Sequence, residues 1–268
     1  MKQAAVFFDR DNTLILNDGY LGDPAGVKLA PGAADAVARA HELGYLVVVV
    51  SNQSGVARGM FTEADVNAVN ARLDEMLVAI NPRAIVNLHE YCPFHPEGTV
   101  AAYRVESELR KPKPGMLLRA AKRLDIDLER SWLIGDAGRD IDAGKAAGCG
   151  TILVQWPDIA QSPAAEAPGG SEPDAFVESL EEAMEVVARE SDMIDGRNEK
   201  SPRIMDGGGA YSDSAVIFQM ITIVCFVAGL WTVSLFAILL ATFLQVCTLT
   251  AINIHQNSQK KEPPPKQG

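Results

Sequence analysis

Cysteine is scarce in this chain, positive charge is in deficit, and no leader segment is visible at its start. The 268 residues hold four cysteines, Cys92, Cys149, Cys225 and Cys247. Their spacing builds no disulfide framework, so reduced thiols in a cytosolic or membrane setting are expected. Lysine and arginine total 24 against 35 acidic residues, giving a formal net charge of -11. That balance argues against a general nucleic-acid partner, which needs a basic face. An anionic substrate must instead be captured by local positive groups. Met1-Lys2-Gln3 runs at once into a five-residue apolar stretch that ends on Asp9-Arg10-Asp11. This is too short for a secretory core segment and lacks a small-residue cleavage site, so the N-terminal domain is expected in the cytoplasm.

What is present, up to about residue 190, is an alternation of strand-like and helix-like segments. Residues 4–8 and 46–50 are short aliphatic runs of the kind that form buried strands. Pro31-Gly32 opens a helix that Gly44 closes, and Thr62-Glu63-Ala64-Asp65 reads as a capped helix start. Strands are expected at 85–91, 132–134 and 151–154, helices at 115–124 and 140–147, an irregular polar stretch at 92–110 and an amphipathic one at 177–188. The alternation predicts an α/β fold with a doubly wound parallel sheet, whose ligands bind beyond the carboxyl ends of the strands.

The unusual polar residues fall at those ends. Asp9 and Asp11 follow the first strand; one carboxylate can attack phosphorus while the other handles the leaving-group proton. Ser51-Asn52-Gln53-Ser54-Gly55 follows the second and offers a neutral anion cradle. Arg110-Lys111-Pro112-Lys113-Pro114 presents cations on a stiffened backbone. Gly135-Asp136 with Asp140 can complete an oxygen shell for Mg²⁺. Any one of these could be an ordinary turn; four in this order, each beside the right element, could hardly be.

At these residues the chain resembles the haloacid dehalogenase-like phosphatases, over roughly residues 4–190. The resemblance implies Asp9 as aspartyl nucleophile, Asp11 as general acid and then base, and Ser51 and Lys111 as holders of the phosphoryl group. It also implies Mg²⁺ on Asp9, the backbone carbonyl of Asp11 and Asp136, with Asp140 in support. A narrower likeness, carried by Asp18-Gly19-Tyr20, the stretch from Asn52 to Gly59, Cys92-Pro93-x-His95-Pro96 and Arg110-Lys111-Pro112, is to the D,D-heptose 1,7-bisphosphate 7-phosphatases and their histidinol-phosphatase relatives. It implies a small phosphorylated sugar as substrate, contacted by Asn17, Asp18, Gly19, Tyr20, Ser51, Asn52, Gln53, Ser54 and Arg110. A guanidinium at Arg110 suits a second phosphate, which it can grip bidentately.

The chain departs from that pattern in one loop. The family binds zinc through Cys-x-His and Cys-x-Cys, but here the matching positions are Cys92, Phe94, Ser107 and Leu109. One thiolate does not make a four-ligand site, so no zinc is expected, and Phe94 and Leu109 are expected to pack in its place. Asn12 stands where glycine is usual, a change its backbone tolerance allows.

The last quarter is different in kind. Residues 191–213 read as a flexible linker and 256–268 as a basic disordered tail. Residues 215–254 between them carry no charged side chain. As one helix they would extend about 60 Å, twice a bilayer core. A membrane-spanning segment over 214–255, a hairpin in preference to one tilted span, is the expectation, with Arg197, Lys200 and Arg203 before it and Lys260, Lys261 and Lys266 after it placing both flanks on the cytoplasmic side. The sequence therefore predicts a membrane-tethered, Mg²⁺-dependent sugar-phosphate phosphatase. The rivals are the same chemistry on histidinol phosphate or another small ester, and a membrane assembly protein whose phosphatase-like domain only binds ligand.

Overall fold

The computed structural model describes residues 2–157 and 170–194, all within one unit, Met1–Ser201. The remainder of the expected linker, the uncharged segment and the basic tail lie outside the described residues. Among the described residues no helix is long and apolar enough to cross a membrane.

Among the described residues, six parallel strands form one sheet in the order β3-β2-β1-β4-β5-β6. β1 (Ala5–Phe8) lies at its middle, between β2 (Leu46–Asn52) and β4 (Trp132–Gly135); β3 (Leu88–Cys92) closes one side, and β5 (Gly150–Val154) and β6 (Ala175–Val177) the other. Side chains alternate across the sheet, as a period of two requires. Val6 and Phe8 face a core layer shared with α1 (Ala33–Glu42), α2 (Glu63–Ile80) and α5 (Leu180–Ile194). Ala5 and Phe7 face a second layer shared with α3 (Gly115–Leu124) and α4 (Gly138–Ala147). Both faces of β1 are therefore covered, which is why its four residues are all apolar and buried.

The expected elements are present with shifted edges. The third strand begins three residues later than its apolar run, at Leu88. Helix α4 starts two residues before Asp140, which puts Asp140 in its first turn. β6 has no counterpart among the expected strands: three residues, one of them the exposed Phe176, leave too short a pattern to read. The closing helix α5 runs to Ile194, four residues into the stretch expected as linker. Local rules hold at the helix starts. Thr62 caps α2 by accepting from the Asp65 amide at 3.2 Å, and the Asp65 carboxylate accepts from the Thr62 amide at 2.8 Å.

Because successive crossovers run outward from β1 in opposite directions, a crevice opens between β1 and β4 at their carboxyl ends. Asp9 follows β1 and Asp136 follows β4. The segments after β2 and before α3 border the same end.

Candidate active site

The segments after β1, before α3 and after β4 bring Asp9, Lys111, Asp136 and Asp140 into one buried cluster. The Asp9 amide donates to the Ile134 carbonyl at 2.9 Å, which locks the end of β1 to β4. Asp9, Asp136 and Asp140 then converge, offering one oxygen each with all three within 4.8 Å of one another. All three are buried. Lys111 lies against them, fully buried, with Nζ 2.8 Å from Asp9 Oδ1 and 2.7 Å from Asp140 Oδ1. The same ammonium donates to the Val50 carbonyl at 2.9 Å. Its peptide is held as well: the Lys111 amide donates to Asn52 Oδ1, and Asn52 Nδ2 donates to the Lys111 carbonyl, each at 3.0 Å. Asn52, expected to touch substrate, is here the clamp that fixes the lysine.

The electrostatics follow from burial. Removal from water pushes Asp9 up to about 6, against the pull of Lys111 and with Asp140 adding to the rise. Burial, then the Asp9 and Asp140 charges, push Asp136 up to about 8. Burial alone would lower Lys111, but the Asp140 and Asp9 carboxylates outweigh it and hold the ammonium above its ordinary range. Asp136 Oδ1 is buried with no hydrogen-bond partner. Three crowded carboxylates, one with an orphaned oxygen, fit a hard divalent cation with oxygen ligands such as Mg²⁺. Asp140 stands inside this group on the same footing as Asp136. The Asp11 carboxylate stands apart from it.

Asp11 is instead oriented by its own set of donors. Ser51 Oγ donates to Asp11 Oδ2 at 2.9 Å and Gln53 Nε2 to the same oxygen at 2.8 Å. The Asn17 amide group donates to Asp11 Oδ1, and Arg10 pairs with that oxygen at 3.2 Å. Ser51 and Gln53 are joined to each other at 2.6 Å. The turn beneath needs Asn12 at a φ of 60°, in the left-handed region, where its side chain accepts from the Asn17 amide at 3.1 Å. Asn17, Ser51 and Gln53 thus stand beside Asp11, while Asp18, Gly19 and Tyr20 line an open pocket of about 550 Å³ next to it. Tyr20 is half exposed there. Ser54 is buried in the turn after β2.

Arg110 Nη1 and Arg58 Nε are both buried without a hydrogen-bond partner. Burial lowers Arg110 from its ordinary value; Cys92 and, less strongly, Tyr20 oppose the shift, while Arg139 and Arg58 nearby push the same way as burial. The site therefore has a cationic wall beside an acidic floor, suited to a ligand carrying more than one phosphate.

Several contributors lie outside the motifs that the sequence displays. Arg10 is fully buried and joins Asp11 to Asn70 Oδ1, the latter at 3.0 Å. Asn70 falls at helical spacing from the buried Val66 and Leu73 of α2, and an amide in an apolar stripe is the available signal. Arg139, in the unspecified part of the Asp136-to-Asp140 spacing, is held above its ordinary value: burial opposes, and Asp140, Asp9 and Asp136 prevail. In the loop after β3, Phe94 and Leu109 pack against the core layer that contains Cys92.

Comparison with known proteins agrees with this geometry. A family model described as HAD-hydrolase-like matches residues 108–183. The D-glycero-beta-D-manno-heptose-1,7-bisphosphate 7-phosphatase of Rhodopseudomonas palustris is 43% identical over 159 residues, which is 59% of this chain and 87% of that protein. The alpha-anomer phosphatase of Burkholderia mallei is 39% identical over 58% of this chain and 80% of its own length. Among solved structures, the D,D-heptose 1,7-bisphosphate phosphatase from B. bronchiseptica, complexed with magnesium and phosphate, superposes with a TM-score of 0.59 at 30% identity, covering 70% of this chain and 99% of that one.

Proposed function

Because the chain belongs to the haloacid dehalogenase-like family of heptose 1,7-bisphosphate 7-phosphatases, we propose that it removes the 7-phosphate of D-glycero-D-manno-heptose 1,7-bisphosphate. The observation that carries the reading is a buried nucleophile clamped by Lys111, with an unpartnered guanidinium nitrogen on the adjoining Arg110 and another on Arg58 near it. One phosphate can meet Asp9 while the other meets Arg110.

An Asp9 oxygen attacks phosphorus, and the bond from phosphorus to the sugar oxygen breaks. Asp11, oriented by Ser51 and Gln53, gives its proton to the departing alkoxide. It then takes a proton from a water whose oxygen attacks the aspartyl-phosphate, which frees Asp9 and releases inorganic phosphate. Lys111 neutralises charge on the phosphoryl oxygens, and the Ser51 hydroxyl can turn from Asp11 to donate to one of them when phosphate is bound. Mg²⁺ on Asp9, Asp136 and Asp140, with the Asp11 carbonyl, would supply further charge neutralisation between carboxylates and phosphate.

The test is Mg²⁺-dependent phosphate release by the full chain from heptose 1,7-bisphosphate, beside histidinol phosphate and a panel of sugar monophosphates. A kcat/KM at least about a hundredfold above the monophosphates is expected, since a charge-assisted contact to the second phosphate is made only by the bisphosphate. Equal rates on all esters would retain the chemistry and discard the substrate.

The tether is a second part of the proposal. The uncharged run between basic flanks supports insertion of residues 214–255 in a bilayer with the catalytic unit in the cytoplasm. Full chain expressed in cells should sediment with membranes and resist carbonate extraction. Recovery in the supernatant would remove the tether without touching the chemistry.

A further inference from the structure

The loop from residue 93 to 110 delivers Arg110 to the site, yet it contains no regular element apart from a single 3-10 turn, Ala101–Tyr103. Its middle is fastened to the strand that precedes it through one carboxylate. Tyr91, on β3, donates its hydroxyl to Glu63 Oε2 at 2.9 Å. Tyr103, in the 3-10 turn, donates to Glu63 Oε1 at 2.7 Å. One carboxylate at the first turn of α2 therefore takes both phenols, one per oxygen, and joins the strand before the loop to the turn within it. Burial, then the Glu63 carboxylate, push the Tyr91 phenol up to about 12, and the hydrogen bond to Glu63 raises Tyr103 as well, so both phenols stay protonated donors.

Further contacts radiate from this point. The Phe94 and Tyr103 rings are 5.9 Å apart at 42°. The His95 amide donates to the Tyr103 carbonyl at 3.1 Å, and the Val100 amide to the Ala57 carbonyl at 2.9 Å, next to Arg58. The Arg110 amide donates to the Ser107 carbonyl at 3.2 Å. The loop itself has no thiol and Cys92, at the end of β3, is a single one, too few ligands for a metal to perform the fastening.

We propose that Glu63, through Tyr91 and Tyr103, is the positioning element for the substrate loop, setting Arg110 and Arg58 at the spacing that receives the second phosphate. Glu63 touches no reacting atom. It acts on the recognition of the distal phosphate, so its effect falls on KM for bisphosphates and spares kcat. The assignment rests on the substrate reading above for its kinetic consequence, but not for its structural one.

Two measurements separate these. Tyr91→Phe/Tyr103→Phe keeps both rings and their packing and removes only the hydroxyl donors. Amide hydrogen exchange over residues 93–110 should accelerate at least about tenfold in this double variant, as expected for losing charge-assisted hydrogen bonds, while the sheet keeps its protection. The KM for heptose 1,7-bisphosphate should rise about tenfold with kcat within about twofold, and kcat/KM for a sugar monophosphate should not change. Glu63→Gln, which retains one acceptor oxygen, should fall between wild type and the double variant. Unchanged loop exchange would overturn the latch. Faster exchange with an unchanged bisphosphate KM would overturn its positioning role. If wild type shows no preference for bisphosphates, the substrate reading fails, and the exchange result alone still decides the latch.

Discussion

Lys111 meets two carboxylates at once, and the consequences are sharpest at the level of single residues. Replacing Asp9 by Asn removes the nucleophile but leaves the lysine paired to Asp140 and the Val50 carbonyl. Turnover should fall by at least about a thousandfold, with circular dichroism unchanged. The melting temperature should not fall, because one of three crowded acids has gone. Retained activity would sink the covalent route. The acids also predict a pH response. Asp9 and Asp136 titrate above the ordinary carboxylate value, at about 6 and about 8, so the folded chain without metal holds protons the unfolded chain has lost. Their contribution to stability is complete below the ordinary value and is lost as pH rises through 6 and 8. Thermal melts without metal should therefore shift downward between about pH 5 and pH 8.5, and Mg²⁺ should raise the midpoint more at the alkaline end, where the ligands are already ionised. A Mg²⁺ increment independent of pH would contradict the assignment of these acids as its ligands.

At the level of elements, the floor of the site depends on how closely α4 approaches the sheet. A Cβ on Gly144 would come 2.5 Å from Thr151 and 3.1 Å from Leu133, so only glycine lets α4 lie this near β4 and β5. Gly144→Ala should cost about 1–3 kcal/mol in urea unfolding by overpacking. Because α4 carries Asp140, the Mg²⁺ concentration for half-maximal activity should rise as well. Stability loss with unchanged Mg²⁺ demand would mean that the helix yields elsewhere. This dependence also bears on what a sequence can display. Strands β1, β2, β4 and β5 and the helices between them are legible because their apolar runs are short, uninterrupted and closed by glycine or a cap. Asp9, Asp11, Ser51, Lys111 and Asp136 are legible because each sits where such a run stops or a turn begins. Helix α5 is legible only as an amphipathic stretch, and β6 not at all, since three residues at a sheet edge carry no period. Asn52 shows its identity but not its contact. A motif says that an amide is near the site, and only the fold says that it grips the backbone of Lys111. Arg10 and Arg139 stay hidden because charged residues between motif positions look like solvated turn residues until their burial is known.

For the molecule as a whole, residues 2–157 and 170–194 close both core layers around a complete catalytic cluster. A chain ending at Ile194 should match the full chain in kcat/KM on soluble substrate within about twofold, because Asp9, Lys111, Asp136 and Asp140, which would make the transition-state contacts, all lie within the described residues. A large deficit would show that the C-terminal quarter contributes to catalysis. The sheet order also bears on synthesis. β1 is made first yet lies at the centre, and its partner β4 follows roughly 120 residues later. At roughly 5–20 residues per second the ribosome needs on the order of 6–25 s to supply it. Through that interval the nucleophile's strand has an open edge, and the two carboxylates that converge on Asp9, Asp136 and Asp140, do not yet exist. The nascent chain can neither load metal nor turn over substrate, and it is during those seconds that a chaperone has most reason to hold it.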